Sequence, residues 1–360
     1  MQKAIGKNHI YSYDLIRIIA LLSVIMVHVS APYVTDPNAT SKVFLIGNVF
    51  ESLSRFGVPF FVMLSGALIL DEKRDFPFKK MFRYCTNILV LLYFWSFAYA
   101  FIFKILKPAL SHEPVSMKVF IEACILGHYH LWYLFMIIGL YLITPILKAF
   151  VKKENIKIVQ WFLILALGFQ FLTPICNFVI NRFITSGDVF QTFTNQFGVQ
   201  FVSQFTAYYL LGWYIANIPI EKKNRIRLYI AGFITFWFTL VFSQTMITPK
   251  RLVYNPCYDN LSINILIYST ALFVFLHYYF QKHEIRRHTT LIYNLSQLTF
   301  GVYIIHVIIL GAVAIIVPKV FGIRNVILLI LLNFTITIIL SFTAAFIMSK
   351  IPFIKKLVKF

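Results

Sequence analysis

The sequence predicts an all-α, polytopic integral membrane protein with about ten transmembrane helices and cytoplasmic N- and C-termini. Three observations predict it. First, 59% of the 360 residues are hydrophobic and only 13% are charged, too little polar surface to cover a water-soluble core. Second, the apolar residues run in solid blocks long enough to cross a bilayer. The short alternating segments of a β-barrel are not seen. Third, the basic residues alternate from one connection to the next. Twenty-two of the 33 Lys and Arg fall at the N-terminus, in 71–83, 148–157, 219–227 and 281–290, and at the C-terminus. Nine fall in the intervening connections, and Arg17 and Arg55 lie inside spans. The positive-inside rule then places the six rich segments, and both termini, in the cytoplasm.

The spans are read at 13–34, 44–70, 84–106, 130–147, 157–180, 199–218, 227–247, 261–280, 294–317 and 324–349. Chain 1–360 is expected to form a single membrane domain with no separate soluble domain, because the connections are short. The first span is too long, and carries too much charge, for a cleaved signal peptide. The net charge of +20 is placed to meet anionic lipid headgroups or an anionic cytosolic ligand, not nucleic acid. No CxxC or other metal-ligand spacing links Cys85, Cys124, Cys176 and Cys257, so no metal site is expected.

The first span, "SYDLIRIIALLSVIMVHVSAPY", carries Asp14, Arg17 and His28. Charge inside hydrocarbon is costly and marks function. From Arg17 to His28 the helix turns through three full circles and about 20° more, so both point the same way. Asp14 lies about 40° from His28 on that face. The separation rises roughly 16 Å through a hydrocarbon core about 30 Å thick, which puts His28 near or just beyond mid-membrane.

In the second span Glu51 and Arg55 are helix neighbours at i, i+4, in the outer half. Pro59 is expected to kink this span and free a carbonyl. Ser65 and Gly66 are small enough for close helix packing. The stretch "SMKVFIEACILG", 116–127, is apolar but short, and reads as interfacial or re-entrant. The fourth span opens on His130 and Trp132. In the ninth, Tyr303 and His306 share a face at i, i+3. Asp14, Glu51, Ser65, His130, Trp132, Tyr303 and His306 are therefore candidates to line a cavity shared with the membrane arginines and His28. His128 is a weaker candidate, and His277 reads as structural. No H-E-x-x-H, G-x-S-x-G or phosphate-cradling motif is present.

The segments "DLIRIIALLSVIMVHVS", "SRFGVPFFVMLSGALIL", "FPFKKMFRYCTNILVLLYFW", "HLWYLFMIIGLYLITPIL" and "LSQLTFGVYIIHVIIL", in this order and spacing, resemble the membrane acyltransferase-3 family, the O-acetyltransferases of bacterial cell-surface glycans. The resemblance covers essentially the whole chain. It implies ten core helices in the bacterial plasma membrane, and acetyl-CoA from the cytosol as acyl donor, with no bound cofactor. It also implies a cell-surface polysaccharide or lipid-linked sugar as acceptor, and His28 with Arg17 as the central pair. The family's basic R-x-x-R after the second span stands here as Lys80-x-x-Arg83. That keeps the charge but loses one bidentate fork. Lys80 and Arg83, with Lys79, are candidate donor-binding residues, because the donor is anionic.

For such chemistry His28, Arg17 and Arg55 are the candidate catalytic residues. A neutral imidazole can take the acceptor hydroxyl proton as general base, or His28 can carry the acetyl group itself. Arg55 is suited to the oxyanion or to the sugar. Arg17 is suited to an anionic part of the donor, or to pairing with Asp14. Three other readings stand beside this one: a secondary transporter or flippase, which would need inverted repeats; a non-catalytic membrane partner of polysaccharide assembly; and transfer of another acyl group such as succinyl.

Overall fold

The computed structural model describes residues 9–36, 38–184, 189–198, 204–245, 255–283, 285–352 and 354–358. Among them there is no β-strand. The helices are α1 (Tyr11–Thr35), α2 (Ser41–Ser54), α3 (Gly57–Ile69), α4 (Phe78–Ala100), α5 (Lys107–Leu110), α6 (Met117–Leu126), α7 (Trp132–Phe150), α8 (Ile156–Ala166), α9 (Thr173–Phe183), α10 (Val189–Gln196), α11 (Thr206–Asn217), α12 (Lys222–Thr245), α13 (Ile263–Lys282), α14 (Thr289–Phe321), α15 (Val326–Lys350) and α16 (Lys355–Val358).

Among the described residues, nine helical segments are long and apolar enough to cross a membrane. They correspond to nine of the ten expected spans. The expected sixth span, 199–218, is described as the 12-residue α11, every turn of which is buried in protein; residues 199–203 lie outside the described residues. So do 246–247 of the expected seventh span, residues 1–8 and residues 359–360. The outer helix faces are apolar and uncovered, with Val90, Phe94, Trp161, Phe233 and Phe346 all exposed. A continuous face of this kind is stable only against hydrocarbon.

The second span is broken, not merely kinked. α2 ends at Ser54 and α3 begins at Gly57, because Pro59 has no N–H to offer the carbonyl four residues back. That carbonyl is Arg55's, and the Ser54 carbonyl beside it accepts the Ser23 hydroxyl of α1. This satisfies a backbone group that hydrocarbon could not.

α1 lies at the centre, packed on α2, α3 and α14. α3 and α11 cross at two glycines: a Cβ on Gly66 would fall 1.8 Å from the Tyr209 carbonyl oxygen, and one on Gly212 1.8 Å from that of Met63. Small residues at such a crossing let two backbones touch.

The short stretch expected to be interfacial or re-entrant is α6. Ten residues rise about 15 Å, half the hydrocarbon thickness, and α6 packs on the outer end of α4. The last described helix folds back. α16 sets Leu357 where its carbonyl accepts the Trp95 indole N–H at 3.0 Å, and Val358 packs on Gly301 of α14.

The basic connections meet in pairs at one end of the bundle. The Lys148 ammonium donates to the Asp71 carbonyl at 2.8 Å, and His9 packs edge-on against Tyr293 at 5.1 Å. At the other end Tyr258 donates to Asn48 at 2.6 Å.

Candidate active site

A cavity of about 350 Å³ runs along α1 between the levels of Arg17 and His28. α1 supplies both because its helical turn brings residues 17 and 28 to one face. α3 contributes Phe61 and Ser65, α7 contributes Trp132, Tyr133, Ile137 and Tyr141, and α14 contributes Ser296, Gln297, Thr299, Phe300 and Tyr303. Among the lining residues Arg17 is the single permanently charged side chain. The remainder of the wall is aromatic, aliphatic or neutral polar, as small-ligand cavities generally are.

At one end Asp14 holds Arg17. The guanidinium Nη1 lies 3.0 Å from Asp14 Oδ1, and the Ser296 hydroxyl donates to the same oxygen at 2.8 Å. His9 bonds the other carboxylate oxygen. Asp14 is buried and Arg17 is only half-buried. The carboxylate is thus a support with three partners, and the guanidinium it orients is the group facing the cavity.

At the other end, His28 packs its ring 5.4 Å from Tyr129 and 5.2 Å from His306. His130 joins it on the wall. The His130 backbone carbonyl accepts the Tyr303 hydroxyl, and its ring Nε2 lies 3.3 Å from the Ile304 carbonyl. The Tyr99 hydroxyl donates to that same carbonyl at 2.6 Å. The loop before α7 is therefore fastened to the middle of α14, which fixes His130 and Trp132 at the rim. Trp132 also packs against Phe205 at 5.4 Å.

The structure thus brings Arg17, His28, Ser65, His130, Trp132 and Tyr303 to one cavity wall. Asp14 stands directly behind that wall, and so does His306, which is fully buried. Glu51 and Arg55 do not line it. They pair with each other, Glu51 accepts the Ser30 hydroxyl, and Arg55 donates to the Tyr258 carbonyl at 2.9 Å while its guanidinium covers the Tyr258 ring at 4.6 Å.

Lys80 and Arg83 also lie off the cavity wall. The Lys80 ammonium donates to the Asp75 carbonyl at 3.1 Å and stands 5.9 Å from the Tyr84 ring. Arg83 lies 5.8 Å from that ring. Tyr84 in turn packs on Tyr141 at 5.9 Å, and Tyr141 lines the cavity. The basic pair is therefore two aromatic rings away from the cavity, on the Arg17 side.

Sequence reasoning missed Tyr133, Tyr141, Ser296, Gln297 and Thr299 on the wall. For the last three a signal was present: they are the polar exceptions, within four residues, in the otherwise apolar stretch "LSQLTF". The two tyrosines had none, because tyrosine is common throughout this chain, with 20 in all.

A family model described as an acyltransferase domain, that of acyltransferase-3, matches residues 10–350. No curated protein and no solved structure matches the chain. The match spans nearly every residue that builds the bundle and all those on the cavity wall, and the chain therefore belongs to the acyltransferase-3 family.

Proposed function

We propose that this membrane acyltransferase transfers an acetyl group from cytosolic acetyl-CoA to a hydroxyl of a cell-envelope polysaccharide or lipid-linked glycan, in a bacterial plasma membrane. One observation carries the reading: a single cavity joins a fixed cation, Arg17, to an imidazole, His28, roughly 16 Å along the same helix.

Such a cavity suits a reaction whose two substrates approach from opposite membrane faces. The donor is anionic and enters at the Arg17 end, past Lys80 and Arg83. The acceptor meets His28 at the other end. His28, neutral, takes the acceptor O–H proton as the oxygen attacks the thioester carbonyl. The tetrahedral intermediate collapses with cleavage of the C–S bond, and the proton passes to the departing thiolate of CoA. The relay variant has the same balance in two steps, with the acetyl group resting on His28 between them.

The test uses the purified full chain in detergent, acetyl-CoA, and glycan fragments as acceptor. Wild type should release free CoA thiol and yield acetylated acceptor by mass spectrometry. His28→Ala should lower the rate by about 100-fold or more, with an unchanged elution profile. Absence of thiol release by wild type, together with unaltered surface glycans in cells lacking the protein, would overturn the reading.

A further inference from the structure

Three histidine rings converge at the outer end of the cavity. His306 lies 5.2 Å from His28 and 5.6 Å from His130, centroid to centroid. Their hydrogen-bond partners assign most of the ring protons, because a carbonyl oxygen only accepts and a neutral imidazole has one donor and one acceptor nitrogen.

His306 Nδ1 lies 2.6 Å from the Tyr303 carbonyl oxygen. Nδ1 therefore carries the proton, and Nε2 holds a lone pair. That Nε2 is buried with no hydrogen-bond partner among the described residues. His130 cannot supply one. Its Nε2 faces the Ile304 carbonyl, so its proton is used there. Its Nδ1 is then an acceptor, met by His128 Nδ1 at 3.1 Å. The Tyr303 hydroxyl is committed to the His130 carbonyl. His28 is the ring that remains: no hydrogen bond joins the two rings in this structure, but their 5.2 Å separation is that of an edge-to-edge N–H···N pair, which a rotation of the His28 ring about its Cβ–Cγ bond would align.

We infer that His306 is a positioning residue for His28: its Nε2 accepts the single N–H of the His28 ring and thereby leaves the other His28 nitrogen unprotonated toward the cavity. The inference rests on the acetyl-transfer reading for its consequence, and on ring geometry for the pairing itself. Histidine bases in water-exposed sites are commonly oriented by a carboxylate. At mid-membrane a carboxylate would bring its own burial cost, and a neutral imidazole acceptor does the same orienting without a net charge. The proton that His28 takes up is then held by a ring whose opposite N–H already points into an acceptor.

Two variants and one spectroscopic measurement test this on the full chain in lipid nanodiscs. His306→Phe keeps the ring volume and removes the acceptor. His306→Gln offers an amide oxygen in its place. The expected kinetics are a fall in kcat of about 100-fold for His306→Phe, with the KM for acetyl-CoA within about twofold, and substantial recovery in His306→Gln. In protein labelled with [15N]histidine, His28, assigned through His28→Gln, should be a single neutral tautomer in wild type and a mixture in His306→Phe. A nitrogen–nitrogen coupling through the hydrogen bond should link His28 to His306 in wild type, so the pairing is decided even if a variant fails to fold. Unchanged kcat in His306→Phe, or loss of kcat with the His28 tautomer unaltered, would overturn the inference. An inactive wild type that still has the coupling would leave the pairing standing and remove the acetyl-transfer reading instead.

Discussion

Asp14 and Arg17 form an ion pair of 3.0 Å one helical turn apart on α1, the carboxylate buried and the guanidinium at the cavity wall. The Ser296 hydroxyl reaches the same carboxylate from α14, 2.8 Å away. A buried charge costs free energy unless it is paired and hydrogen-bonded, and here both conditions are met by residues that also fix where Arg17 points.

Asp14→Asn is therefore expected to act through Arg17. It keeps the shape but removes the charge that orients the guanidinium. Donor kcat/KM should fall by about tenfold, near 1.4 kcal/mol, measured by thiol release from acetyl-CoA. Arg17→Lys should fall at least as far, because the ammonium lacks the planar fork. Wild-type kinetics in Asp14→Asn would show that Arg17 needs no partner to hold its place.

Arg55 makes a different prediction. Its guanidinium is taken up by Glu51 and by the Tyr258 carbonyl, and it stands off the cavity wall. Arg55→Met leaves Glu51 buried without its cation, a loss worth about 3–5 kcal/mol. The expected outcome is a clear fall in apparent melting temperature and folded yield, with kcat of the surviving folded protein within a few-fold of wild type. Loss of transfer at an unchanged melting temperature would instead put Arg55 in the reacting centre, as an oxyanion or sugar ligand.

The α3–α11 crossing can be checked by adding one carbon. Gly212→Ala would drive its Cβ to 1.8 Å from the Met63 carbonyl oxygen, and because both partners are backbone neither can swing aside. Destabilisation of about 3 kcal/mol or more is expected. Gly139→Ala is the control. Nothing lies within 4 Å of its new Cβ, and alanine is the better helix former, so its melting temperature should stay level or rise.

In the proposed reaction only the donor carries phosphates, and Lys80 and Arg83 stand on the Arg17 side of the cavity, beside Tyr84. Reversing both to Glu should raise the KM for acetyl-CoA several-fold while the acceptor KM stays near wild type. The wild-type donor KM should also rise with ionic strength, since exposed charge contacts are screened over about 10 Å at 0.1 M salt. A donor KM indifferent to both changes would reduce the pair to markers of the inner membrane face.

Helical phase and hydropathy alone determined that this chain crosses a membrane many times. They also determined that Arg17 and His28 share a face. Both follow from quantities internal to one segment: a run of apolar residues, and a turn of 3.6 residues. Proline chemistry likewise marked the second span as irregular, since the missing N–H belongs to Pro59 wherever the helix packs. The order of motifs was sufficient for the family. What only the tertiary structure decided was which helices face one another. In sequence Arg17 and Arg55 were both candidates for one reacting centre, two arginines in adjacent spans. Yet Arg55 turns to Tyr258, 203 residues away, while Arg17 turns to the cavity. Ser296, 282 residues beyond Asp14, joins the arginine end, and the last described helix returns to Trp95. Facing between helices is set by close contacts such as Gly66 against Tyr209 and Gly212 against Met63. Such contacts depend on shape matched across the whole bundle, which no periodicity within a single helix encodes.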